Sequence, residues 1–298
     1  MRDLHVDALM KLGFHVSISG AIDRAVDRAL ELGCDVFQIF TRNPRSWSSR
    51  PLREGEVKAF REKRRRAGID PVFAHMPYIQ NLASPSDEVY GRSVNSLAEE
   101  LNRCSVLGVP FLVTHMGSHL GSGIDAGIDR VACAINLALD RSDGSVAVLL
   151  ENGSGSGSQV GSELGELLTI LDAVDDERVA VCLDTCHAFA AGYELRTPEG
   201  LAETLEAFDA AVGFEWLKLV HLNDSLGGLG SGIDRHEHIG LGEIGDEGFR
   251  LILHSRLADV PMIMETPVDG RRSDADNMRR ARELSAPSRQ RAHRSLRL

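Results

Sequence analysis

What this chain lacks narrows it first. No apolar run approaches the roughly 18 residues of a membrane span, and Met1 to Gly13 carries acids and no apolar core of signal-peptide length. The expected compartment is the cytoplasm, with no membrane partner. Cysteine is scarce: Cys34, Cys104, Cys133, Cys182 and Cys186 are an odd number without C-x-x-C spacing, which argues against a disulfide framework and for a reducing compartment. Cys182 and Cys186 flank Asp184, yet small buried thiols are common in strands and both read as structural. Positive charge is also short, with 33 Lys and Arg against 44 Asp and Glu and a formal net charge of -11. Taken alone, that argues against a polyanionic partner. Three divalent ions held by acids would offset about half of the deficit and concentrate positive charge in one site.

The 298 residues, 43% hydrophobic and 26% charged, are those of an ordinary globular chain able to bury a full core. No repeat beyond a strand-helix unit and no linker interrupts it. Short apolar runs are expected as strands within 13–20, 35–40, 71–75, 111–115, 146–152, 179–184, 217–221 and 261–265. Helical periodicity falls between them, at about 21–32, 54–67, 86–107, 124–139, 162–174, 199–212 and in a last segment reaching about 284, the first three closed by Gly33, Gly68 and Gly108. Buried-type strands alternating with helices spell an α/β fold, a (β/α)8 TIM barrel, with its active site at the C-terminal rim of the strands. A single barrel domain is expected over residues 13–285. Residues 1–12 read as an extension without pattern. Residues 286–298, which hold Arg289, Arg291, Arg294 and Arg297, read as a basic disordered tail, a nucleic-acid contact being the sharper alternative.

The strand ends carry the chemistry. Apolar runs stop abruptly at His75, His115, Glu151, Asp184, His221 and Glu265. His187 follows Asp184 by three residues, and Asp234 and His236 stand two apart, which in an extended segment turns both to one side. A lone histidine at a strand end is more often a hydrogen-bonded structural residue. Five imidazoles and four carboxylates converging on one rim are a metal site. Such a mixed set favours zinc, leaves manganese or iron open, and disfavours magnesium and calcium. Nine ligands imply two or three ions, and clustered ions suit hydrolysis of a phosphoester.

Several long stretches share one likeness: H-V-S-I-S-G at 15–20, N-P-R-S-W at 43–47, H-M-P-Y-I-Q-N-L-A-S-P at 75–85, T-H-M-G-S-H at 114–119, E-N at 151–152, D-T-C-H-A-F-A-A-G-Y at 184–193, H-L-N-D-S at 221–225, D-R-H-E-H-I-G-L-G-E-I-G at 234–245 and E-T-P at 265–267. They resemble the endonuclease IV family of zinc-dependent apurinic/apyrimidinic endonucleases over nearly the whole chain. The resemblance implies three zinc ions: one on His75, His115 and Glu151; a second on Glu151, Asp184, His221 and Glu265; a third on His187, Asp234 and His236. It further implies cleavage of double-stranded DNA on the 5′ side of an abasic site to leave a 3′-hydroxyl, with trimming of blocked 3′ ends, by a metal-activated hydroxide attacking phosphorus in line. Catalysis would rest on Glu151, Asp184 and Glu265, and the protein would act as a monomer. By the same resemblance Arg45, Trp47, Tyr78 and Ile79 would wedge into the duplex beside an extruded abasic sugar; their bland reading is loop packing.

One departure stands beside the bridging glutamate. Where the family shows a threonine-rich turn, this chain has G-S-G-S-G-S-Q-V-G at 153–161, expected as a flexible connection rather than a phosphate cradle, since no lysine accompanies it. Two other functions compete with this one. A sugar isomerase of the xylose isomerase type shares the architecture, but its sites are dominated by carboxylates. A non-cleaving binder of damaged DNA would be expected to lack a ligand, and none is lacking.

Overall fold

Alternation along eight strands builds the interior. In this computed structural model, which describes residues 10–142 and 144–287, the strands are β1 (Leu12–His15), β2 (Val36–Ile39), β3 (Val72–His75), β4 (Phe111–His115), β5 (Ala147–Glu151), β6 (Val179–Asp184), β7 (Leu217–His221) and, after a two-stranded excursion of β8 (Asp224–Ser225) and β9 (His236–Glu237), β10 (Met262–Met264). All barrel pairings are parallel and the ring closes in the order β1-β10-β7-β6-β5-β4-β3-β2. The N-terminal extension as far as residue 9 and the basic tail from residue 288 lie outside the described residues. Strand β1 begins at Leu12, and the Met262 amide donates to the Lys11 carbonyl, so the barrel starts slightly before the expected boundary at residue 13.

Successive side chains on a strand point to opposite faces, and here they fall into two separate clusters. Val36, Phe73, Val113, Leu149, Ala180, Cys182, Leu219 and Ile263 pack together inside the ring. Their neighbours Phe37, Val72, Ala74, Leu112, Val148, Leu150, Val181, Val220 and Met262 join the larger core under the helices. The interior is therefore a packed plug rather than a pore, with Phe73 stacked on Phe111 at a centroid distance of 5.3 Å.

The surrounding helices are α1 (Arg24–Glu31), α2 (Glu54–Ala67), α3 (Asp87–Leu107), α4 (Ile124–Leu139), α5 (Leu164–Ala173), α6 (Thr185–Ala191), α7 (Pro198–Ala211), α8 (Gly245–Leu253) and α9 (Asp274–Ser285). Their ends follow local chemistry: Ser86 caps α3 by accepting from the Val89 amide, Thr197 caps α7 by accepting from Gly200 with Pro198 in the first turn, and Gly68 and Gly108 end α2 and α3 with φ of 68° and 71°. Two helices escape the periodicity reading. Helix α6 is one short run of small residues directly after β6, so His187 sits on a helix rather than in a loop. Helix α8 fills a stretch left unassigned between the long loop and the last strand. No helix among the described residues is long and apolar enough to cross a membrane.

The plug is what supports the rim, and its loss should be measurable. Leu149 is fully buried two residues below Glu151. Leu149→Ala should cost about 2–5 kcal/mol in urea unfolding, whereas Leu168→Ala, at a position 37% exposed, should cost under about 0.5 kcal/mol. Equal costs would contradict the two-cluster description.

Candidate metal centre

Two residues beyond seven members of the plug, Val36, Phe73, Val113, Leu149, Cys182, Leu219 and Ile263, stand Gln38, His75, His115, Glu151, Asp184, His221 and Glu265. The pleat turns each of them inward, one layer above the plug. The ninefold set picked out by sequence is brought together in three groups whose ligand atoms all lie within 4.8 Å of one another: His75, His115 and Glu151; Glu151, Asp184, His221 and Glu265; and His187, Asp234 and His236. A fourth combination adds Cys186 to Asp184 and His236. There the thiol donates to the Arg235 carbonyl at 3.6 Å, and burial pushes its pKa above the usual thiol range, both properties of a structural cysteine.

Four of the five imidazoles have one nitrogen already committed. His75 donates through Nδ1 to the Met76 carbonyl at 2.6 Å, His187 to Asn152 at 3.0 Å, and His236 to Glu265 at 3.0 Å, while His221 donates through Nε2 to the Gln38 side-chain oxygen at 2.9 Å. The other nitrogen of each ring faces carboxylates: His75 Nε2 lies 3.1 Å from Glu151, His187 Nε2 3.0 Å from Asp234, His221 Nδ1 2.9 Å from Glu151 and 3.4 Å from Glu265, and His236 Nε2 3.6 Å from Asp184. With its only N–H spent, a neutral ring presents a lone pair there, and a lone pair opposite a carboxylate calls for either a second proton or a metal cation between them. The residues therefore fit a metal. His238, two residues past His236, shows the contrasting case: its Nε2 meets Asp269 and its Nδ1 meets the Asn277 amide, each at 3.0 Å, so both nitrogens are satisfied.

Charge makes the same demand. Three carboxylates of the layer and Asp234 of the long loop make four, and two divalent ions would neutralise them while a third would leave the pocket positive. With protein charges alone in play, burial pushes the His187 imidazolium down, but Asp184, Asp234 and Glu151 carry its pKa up to about 10. Burial of Glu151 and Glu265 is likewise outweighed by facing imidazoles, which hold both carboxyls well below the ordinary range.

Residues outside the ninefold set hold it in place. Gln38, fully buried, accepts from His221 and donates through Nε2 to Glu265 at 2.8 Å. His15 meets the same Glu265 oxygen at 3.1 Å. Asn223 donates to Asp184 at 2.7 Å and accepts from the Glu265 amide at 2.8 Å, and Asn152 accepts from the Asp184 amide at 2.7 Å. Asp184 also caps α6, accepting from the His187 amide at 2.9 Å, which ties two groups together through one carboxylate. Asp224 anchors the long loop carrying Asp234 and His236. Its carboxylate accepts from the amides of Ser225, Gly240, Gly242 and Ile244 at 2.8 to 3.0 Å, and a Cβ on Gly242 would lie 2.5 Å from it. Inward parity on β1 and β2 would have picked out His15 and Gln38 from sequence; nothing in the H-L-N-D-S stretch marks Asp224 as an anchor.

The wall outside the ligands is a cavity of about 480 Å³ edged by Met76, Pro77, Tyr78, Gln80, His115, Gln159, His187, Asp234, His236 and Pro267. Tyr78 is 61% exposed, its ring 5.2 Å from Phe40 and 5.6 Å from His75. Arg45 is exposed, and its side chain has no partner among the described residues. Trp47 is covered by the Arg92 guanidinium at 4.3 Å, and Ile79 is half-buried, placements that suit loop packing. The loop bearing Arg45 and Trp47 is fastened from below by a buried cluster in which Arg42 pairs with Glu100 at 2.6 Å, Glu100 accepts from Thr41, and Arg103 donates to Thr41.

The Gly/Ser loop at 153–161 is not the flexible connection expected from its composition. Gly153 donates to the Gly161 carbonyl at 2.7 Å, Val160 to Gly117 at 2.9 Å and His119 to Ser158 at 3.0 Å, while Gln159 accepts from both the amide and the hydroxyl of Ser154. Small residues here allow close backbone approach instead of free motion.

Known proteins share both this architecture and its sequence. The family described as a xylose isomerase-like TIM barrel matches residues 26–287. A relative named "Probable endonuclease 4" from Methanoculleus marisnigri is 54% identical over 280 residues, covering 93% of this chain and 99% of the relative. The chain belongs to the endonuclease IV family. The solved structure of endonuclease IV from Thermus thermophilus superposes with a TM-score of 0.83 at 40% identity, covering 92% of this chain and 98% of that one. A D-tagatose 3-epimerase-like protein superposes with a TM-score of 0.68 at 21% identity, covering 93% of this chain and 98% of that one, a likeness of fold alone. Membership of the endonuclease IV family agrees with the motifs that carried the resemblance.

Two outcomes test this centre. Gln38→Leu should weaken metal retention about 10- to 100-fold, read by competition with a chelator; unchanged retention would remove Gln38 from the metal's support. In the metal-stripped protein, the raised His187 pKa means that this group's contribution is complete below about 6.5 and fades as pH rises toward about 10. The melting temperature of stripped protein should therefore fall across that window, and a rise would contradict the charge argument.

Proposed function

We propose that this endonuclease IV family member hydrolyses the phosphodiester on the 5′ side of an abasic site in double-stranded DNA, leaves a 3′-hydroxyl, and trims blocked 3′ ends. The observation that carries the reading is the cluster of four carboxylates at the rim, faced by imidazole nitrogens whose rings have their other nitrogen committed. His75, His115 and Glu151 would hold one zinc ion, Glu151, Asp184, His221 and Glu265 a second, and His187, Asp234 and His236 a third. When bound, such ions lower the pKa of water and neutralise charge on the attacked phosphate and the departing oxygen.

The protein's own part is to orient and to exclude. Glu151 belongs to two ligand groups and would fix their separation, while Gln38, His15 and Asn223 hold Glu265 and Asp184 at fixed angles. Tyr78 stands exposed at the cavity edge, Arg45 is exposed on the loop after β2, and these two would form the wedge while the cavity takes a sugar swung out of the helix. That extrusion is cheap where no base is stacked. Ile79 and Trp47 would back the wedge from beneath. Residues 13–285 would act as a single domain and a monomer in the cytoplasm.

An abasic-oligonucleotide assay tests the reading. The zinc-replete protein should nick on the 5′ side, chelation should abolish nicking, and added zinc should restore it. Glu265→Gln should lower incision by at least about 100-fold, the upper end of what even an outer partner of a metal costs, together with zinc content. A Glu265→Gln variant with full zinc and the wild-type rate would refute the ligand role, and pentose isomerisation without nicking would refute the activity.

A further inference from the structure

The segment that departs most from the family pattern also carries a side chain with no part in the metal centre. Gln159 closes the Gly/Ser loop and lines the cavity beside His187, Asp234 and His236. Its backbone is fixed, since it pairs with Ser118 in a short antiparallel bridge and the next residue donates to Gly117. Its side chain is fixed as well. Oε1 accepts from the Ser154 amide at 3.0 Å and from the Ser154 hydroxyl at 3.1 Å. Because a backbone N–H can only donate, the atom facing it must be the amide oxygen, and the orientation of the group is settled. The glycine at 153 makes room: a Cβ there would lie 3.0 Å from the Gln159 Cδ. The Nε2 group, with two protons, has no partner among the described residues.

We propose that Gln159 is a substrate-binding residue whose Nε2 donates to a non-bridging phosphate oxygen of the DNA next to the abasic site. A fixed amide donor beside a cluster built to gather positive charge suits an anionic acceptor, and phosphate oxygens are the strong acceptors that DNA brings to such a place. The inference rests on the proposed phosphodiester chemistry and adds to it a contact specific to this loop. It also gives the run of small residues a purpose, since Gly153 and Ser154 wrap an amide that a bulkier turn would displace.

Gln159→Glu is the discriminating change. A glutamate keeps an oxygen for the Ser154 amide and hydroxyl, so the loop stays anchored, but it replaces the donor by a negative acceptor. On a duplex carrying a tetrahydrofuran abasic analogue, Q159E should raise KM about 10-fold or more, most at low salt, with zinc content and melting temperature as in wild type. A substrate-side series removes any ambiguity from folding. Non-bridging oxygens of the phosphates flanking the lesion are replaced one at a time by methyl, reading KM, or Kd where cleavage is blocked. At one position the difference between wild type and Q159E should vanish. A wild-type KM for Q159E, or a deficit that persists at every methylated position, would overturn the assignment. Failure of the wild-type protein itself to nick the unmodified duplex would instead refute the activity on which it rests.

Discussion

Everything in this molecule depends on the two-residue period of a strand in a closed parallel ring. Once an apolar side chain is committed to the plug, the residue two further along must also point inward, and it arrives one layer higher, where the strand ends and water begins. Seven strands place a polar residue at that step, and six of the seven are metal-ligand types, the exception being Gln38. A one-residue slip in any pairing would send a ligand outward into the helix layer. The plug is thus as much a part of the centre as the carboxylates are.

That layer concentrates carboxylates which, without a metal, only protonated imidazoles are there to offset. The buried arginines Arg42 and Arg103 are spent elsewhere, on Glu100 and Thr41 beneath the Arg45 loop. Around Glu151 and Glu265 stand imidazoles, and those with a committed N–H face the carboxylates with lone pairs. Such a set takes up protons when it is metal-free and is suited to metal cations when the rings are neutral. The acidity of the whole chain, a poor match for DNA when read as a sum, would be reasonable if bound cations confine positive charge to the rim.

Much of this was legible in the sequence because each ligand ends an apolar run, and a run of that kind in an α/β protein ends at the functional rim. The eight strands, their order and the ninefold set follow from that regularity and the family motifs. What stayed hidden depends on facts that a linear pattern does not carry. Helix α6 is too short and too rich in small residues to show a period, so the placement of His187 on a helix came only from the capping of Asp184. His15 and Gln38 share the inward parity, but neither ends a long apolar run. Asp224 works through backbone amides 16 and 20 residues away in the chain, and Gln159 is fixed by a neighbour whose role looks like that of a spacer. Composition misled at the Gly/Ser loop, where glycine marks close packing and not freedom.

The central claim is that these side chains gather cations at the end of the barrel. Anomalous X-ray scattering from zinc-soaked crystals, collected on both sides of the zinc edge, tests it most directly. The account predicts strong peaks within the layer, one for each of the three ligand groups, with Glu151 between two of them. A featureless anomalous map in that layer, or peaks confined to the protein surface, would contradict it.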